Sequence, residues 1–145
     1  MSRLNTTRIQ WVFWAVCIVG LLWNVGGAMN YVMQTDAEFV DALPETHQAI
    51  IVNRPAWATA AFAVGVFGGA LGCVLMMFRT SGAQVVLGVS LIGIVFTVVH
   101  MFNVARQGTT FSAVEYAVMA VLPVLVAVAL LIYARRVCAA PNREP

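Results

Sequence analysis

An all-α integral membrane protein, a four-helix bundle with both termini on the inner face of the bilayer, is the fold class this sequence predicts. Three observations carry it. The chain is 61% hydrophobic and only 10% charged, with a mean hydropathy of +0.88, whereas a soluble domain is about 45–50% apolar and about 25% charged. Its apolar residues fall into four runs, each close to the roughly 20 residues a helix needs to cross the hydrocarbon core. Its arginines concentrate at alternate run ends.

The first run, 9–33, is longer than the about 7–15 residues of a signal-peptide core and shows no obvious small-x-small cleavage site before Gly26, so a retained helix is expected. A loop, 34–55, follows. Within it, Thr35 and Glu38 stand at capping-box spacing, with Phe39, Val40 and Leu43 after them and Pro44 as the stop. A second short helix, Glu45 to Val52, is expected to lie flat with Ile50 and Ile51 toward the bilayer surface. Pro55 suits the first helical position of the second run, 56–78, and Trp57 suits the headgroup belt. The connection "RTSGA" is tight, so the second and third runs (56–78 and 84–104) form an antiparallel hairpin. The fourth run, 112–134, opens on the capping-box pattern of Ser112 and Glu115 and contains Pro123, which removes one backbone hydrogen bond and bends the helix. A backbone in lipid must satisfy its own polar groups, so all four runs are helices and not strands. The chain is a single membrane domain with a tail, 135–145.

Orientation follows from the arginines. Arg3, Arg8, Arg79, Arg135, Arg136 and Arg143 lie on one side and only Arg54 and Arg106 on the other, which places both termini in the cytoplasm. The long loop then faces outward, with Asp36, Glu38, Asp41 and Glu45. A net charge of +2 is too small to suggest a nucleic-acid partner. Cys17, Cys73 and Cys138 have neither the spacing of a disulfide framework nor that of a metal site.

Two kinds of residue carry information beyond the fold. Gly65 and Gly69, and likewise Gly68 and Gly72, stand four apart, a spacing that lets helix backbones approach closely in lipid. Gly20, Gly27, Gly88 and Gly93 are candidate partners within the chain, and a second copy of the chain is the alternative. The polar residues form the second kind. Gly20, Asn24, Gly27 and Tyr31 share one helix face, as do Gly93, Thr97, His100 and either Asn103 or Val104. Asn30, Tyr31, His100, Asn103, Glu115 and Tyr116 all fall in the outward half, and Asn24 lies deeper, about 13 Å in from Met33 at 1.5 Å per residue. Asn24, Tyr31, His100, Asn103, Glu115 and Tyr116 make up a candidate polar pocket. Each also has a plainer role: Asn24 as an interhelical hydrogen bond worth about 0.6–2 kcal/mol, Glu115 as a helix cap or the ion-pair partner of Arg106. His47 and His100 with one glutamate do not make a metal site, since a catalytic zinc needs about three protein ligands.

No nucleophile elbow, carboxylate pair, phosphate loop or haem-type histidine pair is present, so neither catalysis nor a cofactor is expected. The pattern of Trp23, Asn24, Gly27 and Tyr31, followed by the stretch from Pro55 to Phe62, resembles a family of small four-helix bacterial inner-membrane proteins loosely labelled sugar transporters. The resemblance covers the first run, the acidic loop and the second run, and implies no site residues. Two functions are therefore expected. One is an accessory or structural protein whose partner is the bilayer itself. The other is a homodimeric carrier of a small polar solute, in which two copies supply the halves that duplicated carriers hold in one chain.

Overall fold

The computed structural model describes residues 2–52 and 54–138, with side chains from residue 10 onward. Arg143 and Asn53 fall outside the described residues, as does the tail beyond Cys138. The helices are α1 (Ser2–Met33), α2 (Ala37–Asp41), α3 (Glu45–Ile51), α4 (Ala56–Met77), α5 (Gly82–Arg106) and α6 (Ala113–Val137). Among the described residues there is no strand. Four helices are long and apolar enough to cross a membrane, namely α4, α5, α6 and the Gln10–Met33 part of α1. The protein is an all-α, multi-pass membrane protein. Four spans bring the Arg79 turn, the start of α1 and the end of α6 to one end of the bundle, and α2, α3 and the α5–α6 turn to the other, the loop end.

Local chemistry shifts several boundaries. Helix α1 begins at Ser2 and not at Ile9, because no proline or glycine between them stops it. The cap of α2 is Asp36, whose carboxylate accepts the Glu38 N–H at 3.0 Å, in place of Thr35. Thr35 turns back instead and donates its hydroxyl to Val32 O at 2.7 Å, closing the end of α1. Pro55 caps α4 in extended backbone (φ −67°, ψ 152°) and the helix starts one residue later. At α6 the Ser112–Glu115 capping box forms. The irregularity expected at Pro123 takes the form of a π-helical turn over Ala117–Val121. A proline ring collides with the carbonyl four residues earlier, here that of Met119, and a widened turn absorbs the collision and the missing bond.

Helix α4 lies between α1 and α5, and α6 packs chiefly on α5. The four glycines of α4 are used within the chain and do not form two uniform rows. Cβ atoms placed on Gly65, Gly68 and Gly72 would meet Ile94, Ser90 and Leu87 of α5, whereas one on Gly69 would collide with Asn24 of α1. Gly93 answers from α5, its Cα facing the backbone of Ala61 and Gly65, while Gly88 faces open space. A hydrogen bond from Ser90 Oγ to Gly65 O (2.6 Å) joins the two helices at this crossing.

All four spanning helices converge only toward the Arg79 end. Phe13 and Cys17 of α1, Cys73 and Met76 of α4, Leu87 of α5 and Leu130 of α6 form one core there. Cys138 joins them, so the three cysteines share this core as free thiols. Arg79 takes left-handed backbone (φ 54°) just after α4 and lays its guanidinium 4.4 Å from the centre of the Phe13 ring.

Candidate functional site: an open cavity under the loop helices

At the loop end α1 and α6 part, and a cavity of about 650 Å³ opens between them. Helix α3 and the residues on either side of it roof this space; α4 and α5 form its back wall. Its lower limit lies at Asn24, Ile94 and Pro123. A void of about 10 Å³ continues below, bounded by Leu87, Ser90 and Leu130, large enough for at most about one water molecule. Beneath that the Arg79-end core is closed: Cys17, Cys73 and Met76 are fully buried.

The roof is tied to the spanning helices by side-chain hydrogen bonds. Thr46 of α3 donates its hydroxyl to Glu115 Oε1 on α6. His100 of α5 donates from Nε2 to Ile50 O at 3.0 Å, satisfying one of the carbonyls that the end of a short helix leaves without a partner. Arg54 Nη2 donates to Gln34 Oε1 at 2.6 Å, closing the loop's end onto its beginning. Gln48 donates to Asp41 O and Leu43 O, bracing α3 against the end of α2. Ile50 does not face the bilayer surface. It is 7% exposed and packs against Met101, Val104 and Ala120, because α3 turns that edge onto the bundle. Ile51 lines the cavity.

Of the six residues in the expected polar pocket, only Asn24 lines this cavity. Its Nδ2 donates to Gly20 O at 2.8 Å within α1, so it makes no interhelical hydrogen bond there; its Oδ1 lies against Gly69. Tyr31 does share the Asn24 face, but its ring packs on Phe62 and Phe67 of α4, each 5.7 Å away. His100 faces the roof, with Trp57 edge-on to its ring at 5.8 Å. Glu115 has both oxygens engaged, Oε1 by Thr46 and Oε2 by the backbone N–H and hydroxyl of Ser112 at 2.7 Å each. The expected Arg106–Glu115 pair does not form, since Ser112 and Thr46 already fill the carboxylate. Tyr116 stacks on Phe102 and meets Phe111 edge-on. Asn103 is half-buried and not in the cavity wall.

The cavity's polar lining comes from Asn24, Asn30, Gln34, His47, Arg54 and Thr97. Asn30 and Thr97 already belonged to the polar residues of their runs. Arg54 carried a clearer signal, as one of the two arginines on the otherwise acidic side. Burial pushes the Arg54 guanidinium below its usual pKa, yet arginine remains charged in proteins. Its plane sits 5.3 Å from the Phe62 ring centre, a cation–π contact. Among the described residues no carboxylate lines the cavity. Among the described residues no group of three or more potential metal ligands comes together. Compared with protein-family models, curated proteins and solved structures, the chain matches none.

Proposed function

We propose that this chain is an accessory protein of the bacterial inner membrane, with both termini cytoplasmic and with neither catalysis nor solute flux of its own. It would belong to the family of small four-helix membrane proteins that it resembles. The observation that supports this reading most is how the outward polar residues are used. Five of the six are engaged in capping, stacking or holding the loop helices, or stand outside the cavity, and so do not line one aqueous path. The closed core at the Arg79 end points the same way, since a solute reaching Asn24 meets packed side chains beyond it.

The carrier reading keeps one supporting feature, the cavity itself, and one experiment separates the two. The full chain reconstituted in liposomes is offered a panel of radiolabelled sugars and small amines. The accessory reading expects uptake equal to that of protein-free liposomes for every solute. Uptake that saturates and is lost in Asn24→Ala, made at normal levels, overturns it in favour of a carrier.

A further inference from the structure

We infer that the cavity between α1 and α6 is a lateral binding site for one anionic phospholipid of the surrounding leaflet, its phosphate beside Arg54 and one acyl chain lying down toward Asn24. The inference goes beyond the accessory reading and stands or falls separately from it.

Three features of the site select that chemistry. The first is its opening. Trp23 on α1 and Val118 on α6 line the cavity yet are 41% and 54% exposed. The gap between them lies within the membrane-spanning stretches of both helices, so the cavity is entered from lipid and not only from water. The second is its gradient. Gln34 and Arg54 sit at the rim, and Gln34 is ten residues beyond Asn24, about 15 Å along the axis at 1.5 Å per residue. Between those levels the walls are mostly apolar, with Phe62 and Val66 behind and Ile94, Val118 and Met119 beside them, and Asn30 and Thr97 are the polar exceptions. A polar head at the top and a chain below it match that order. A small polar solute would leave most of that apolar wall uncovered.

The third feature is charge. Arg54 is half-buried, and among the described residues no carboxylate lines the space it borders. One of its five N–H donors goes to Gln34 and its face rests on Phe62. That contact fixes the plane of a group that binds phosphate in a fork geometry. The cavity volume of about 650 Å³ falls within the about 300–1,000 Å³ typical of small-molecule sites. It accommodates a chain and part of a head without displacing a helix.

Gly26 supplies a clean obstruction. It lines the cavity, and a Cβ built on it meets nothing within 4 Å, so a large side chain there fills the shaft without disturbing helix contacts. The test is native mass spectrometry of the full chain released from micelles. The micelles carry equal amounts of phosphatidylglycerol and phosphatidylcholine with identical chains. Wild-type protein is expected to retain one phosphatidylglycerol in preference to phosphatidylcholine. Arg54→Gln should reduce that preference about tenfold, the effect of one lost charge-assisted hydrogen bond, while Arg106→Gln, altering an exposed arginine outside the cavity, leaves it unchanged. Gly26→Phe, with its helical circular dichroism intact, should lose both lipids. Inorganic phosphate should fail to compete, which separates a lipid from a free anion. Equal retention of the two lipids, an Arg54→Gln protein that still prefers phosphatidylglycerol, or a Gly26→Phe protein that binds as before overturns the assignment. Competition by phosphate alone does so too.

Discussion

The α4–α5 crossing can be tested by adding a single methyl group at two positions in the same helix. At Gly93 a Cβ would stand 2.6 Å from Ala61 O and 2.7 Å from Gly65 N. Both are backbone atoms of a neighbouring helix, so no rotamer change can clear them. Ordinary contact begins at 3.4 Å, so relieving the 2.6 Å contact requires the helices to part by about 0.8 Å (3.4 minus 2.6), breaking the interdigitation around it. Overpacking of that kind costs about 1–3 kcal/mol, set against at most about 0.5–1 kcal/mol gained from alanine's better helix propensity. The net expectation for Gly93→Ala is a loss of about 1–2 kcal/mol. At Gly88 a Cβ meets nothing within 4 Å, so Gly88→Ala should be neutral or stabilising by up to about 1 kcal/mol. Reversible unfolding in mixed micelles, by steric trapping or denaturing detergent, reads both differences on one scale. Equal stability of the two variants, or a Gly93→Ala protein as stable as wild type, would refute the close backbone contact from which the magnitude is derived.

Other contacts yield sharper contrasts. Gly69→Ala places its methyl on Asn24 and should cost about 1–3 kcal/mol, but Asn24→Ala removes the obstacle. In the same unfolding assay the double variant should recover most of the loss, and additive losses would contradict the contact. Ser90→Ala removes the hydrogen bond to Gly65 O and should cost about 0.6–1.7 kcal/mol, with Ser90→Thr or Cys unable to restore it fully in so narrow a crossing. Thr46→Val breaks the tie between α3 and Glu115. Hydrogen exchange should then accelerate across 45–51 while the α4 and α5 amides stay protected, and unchanged exchange in α3 would show that the tie does not hold the roof.

The four spans were legible because each is long, apolar and bounded by arginine, proline or glycine. Length and solvent decide that without tertiary detail. The Ser112–Glu115 cap was legible for a related reason, since both partners lie within one turn. What the sequence did not disclose depends on partners far apart in the chain. Asn24 and Tyr31 do share a face, as their spacing indicates, but that face meets α4, and only Asn24 also reaches the cavity. His100 and Glu115 lie in the outward half, yet they face α3, a helix of seven residues whose own docking no periodicity predicts. Glu115 was read as a cap or an ion-pair partner, and its second oxygen went to Thr46, 69 residues away. The polar residues of the cavity went unweighted individually because an asparagine at a helix end or an arginine before a proline looks like ordinary surface chemistry. They converge only when α1 and α6 diverge above them.

That divergence follows from the solvent. In water, a cleft of about 650 Å³ with apolar walls would be driven toward closure by the exposure of its lining, at about 25 cal/mol per Å² of apolar surface. In a bilayer the lipid chain is as apolar as leucine, so no such force presses α1 onto α6. Helices there stay together where shape and hydrogen bonds favour it. Gly93 on the α4 backbone, Gly69 on Asn24 and Ser90 on Gly65 supply those terms for α1, α4 and α5. The π turn at Ala117–Val121 and Pro123 leave α6 without a comparable surface at the same depth. Only the polar groups resist an open cleft, because an amide at hydrocarbon depth needs a partner. Asn24 meets half of that need within its own helix through Gly20 O. Its Oδ1 lies against Gly69 at the cavity floor, and among the described residues no buried side-chain polar atom is left without a hydrogen-bond partner. Asn24 thus stands at the boundary between the close α1–α4 contact and the open space above it.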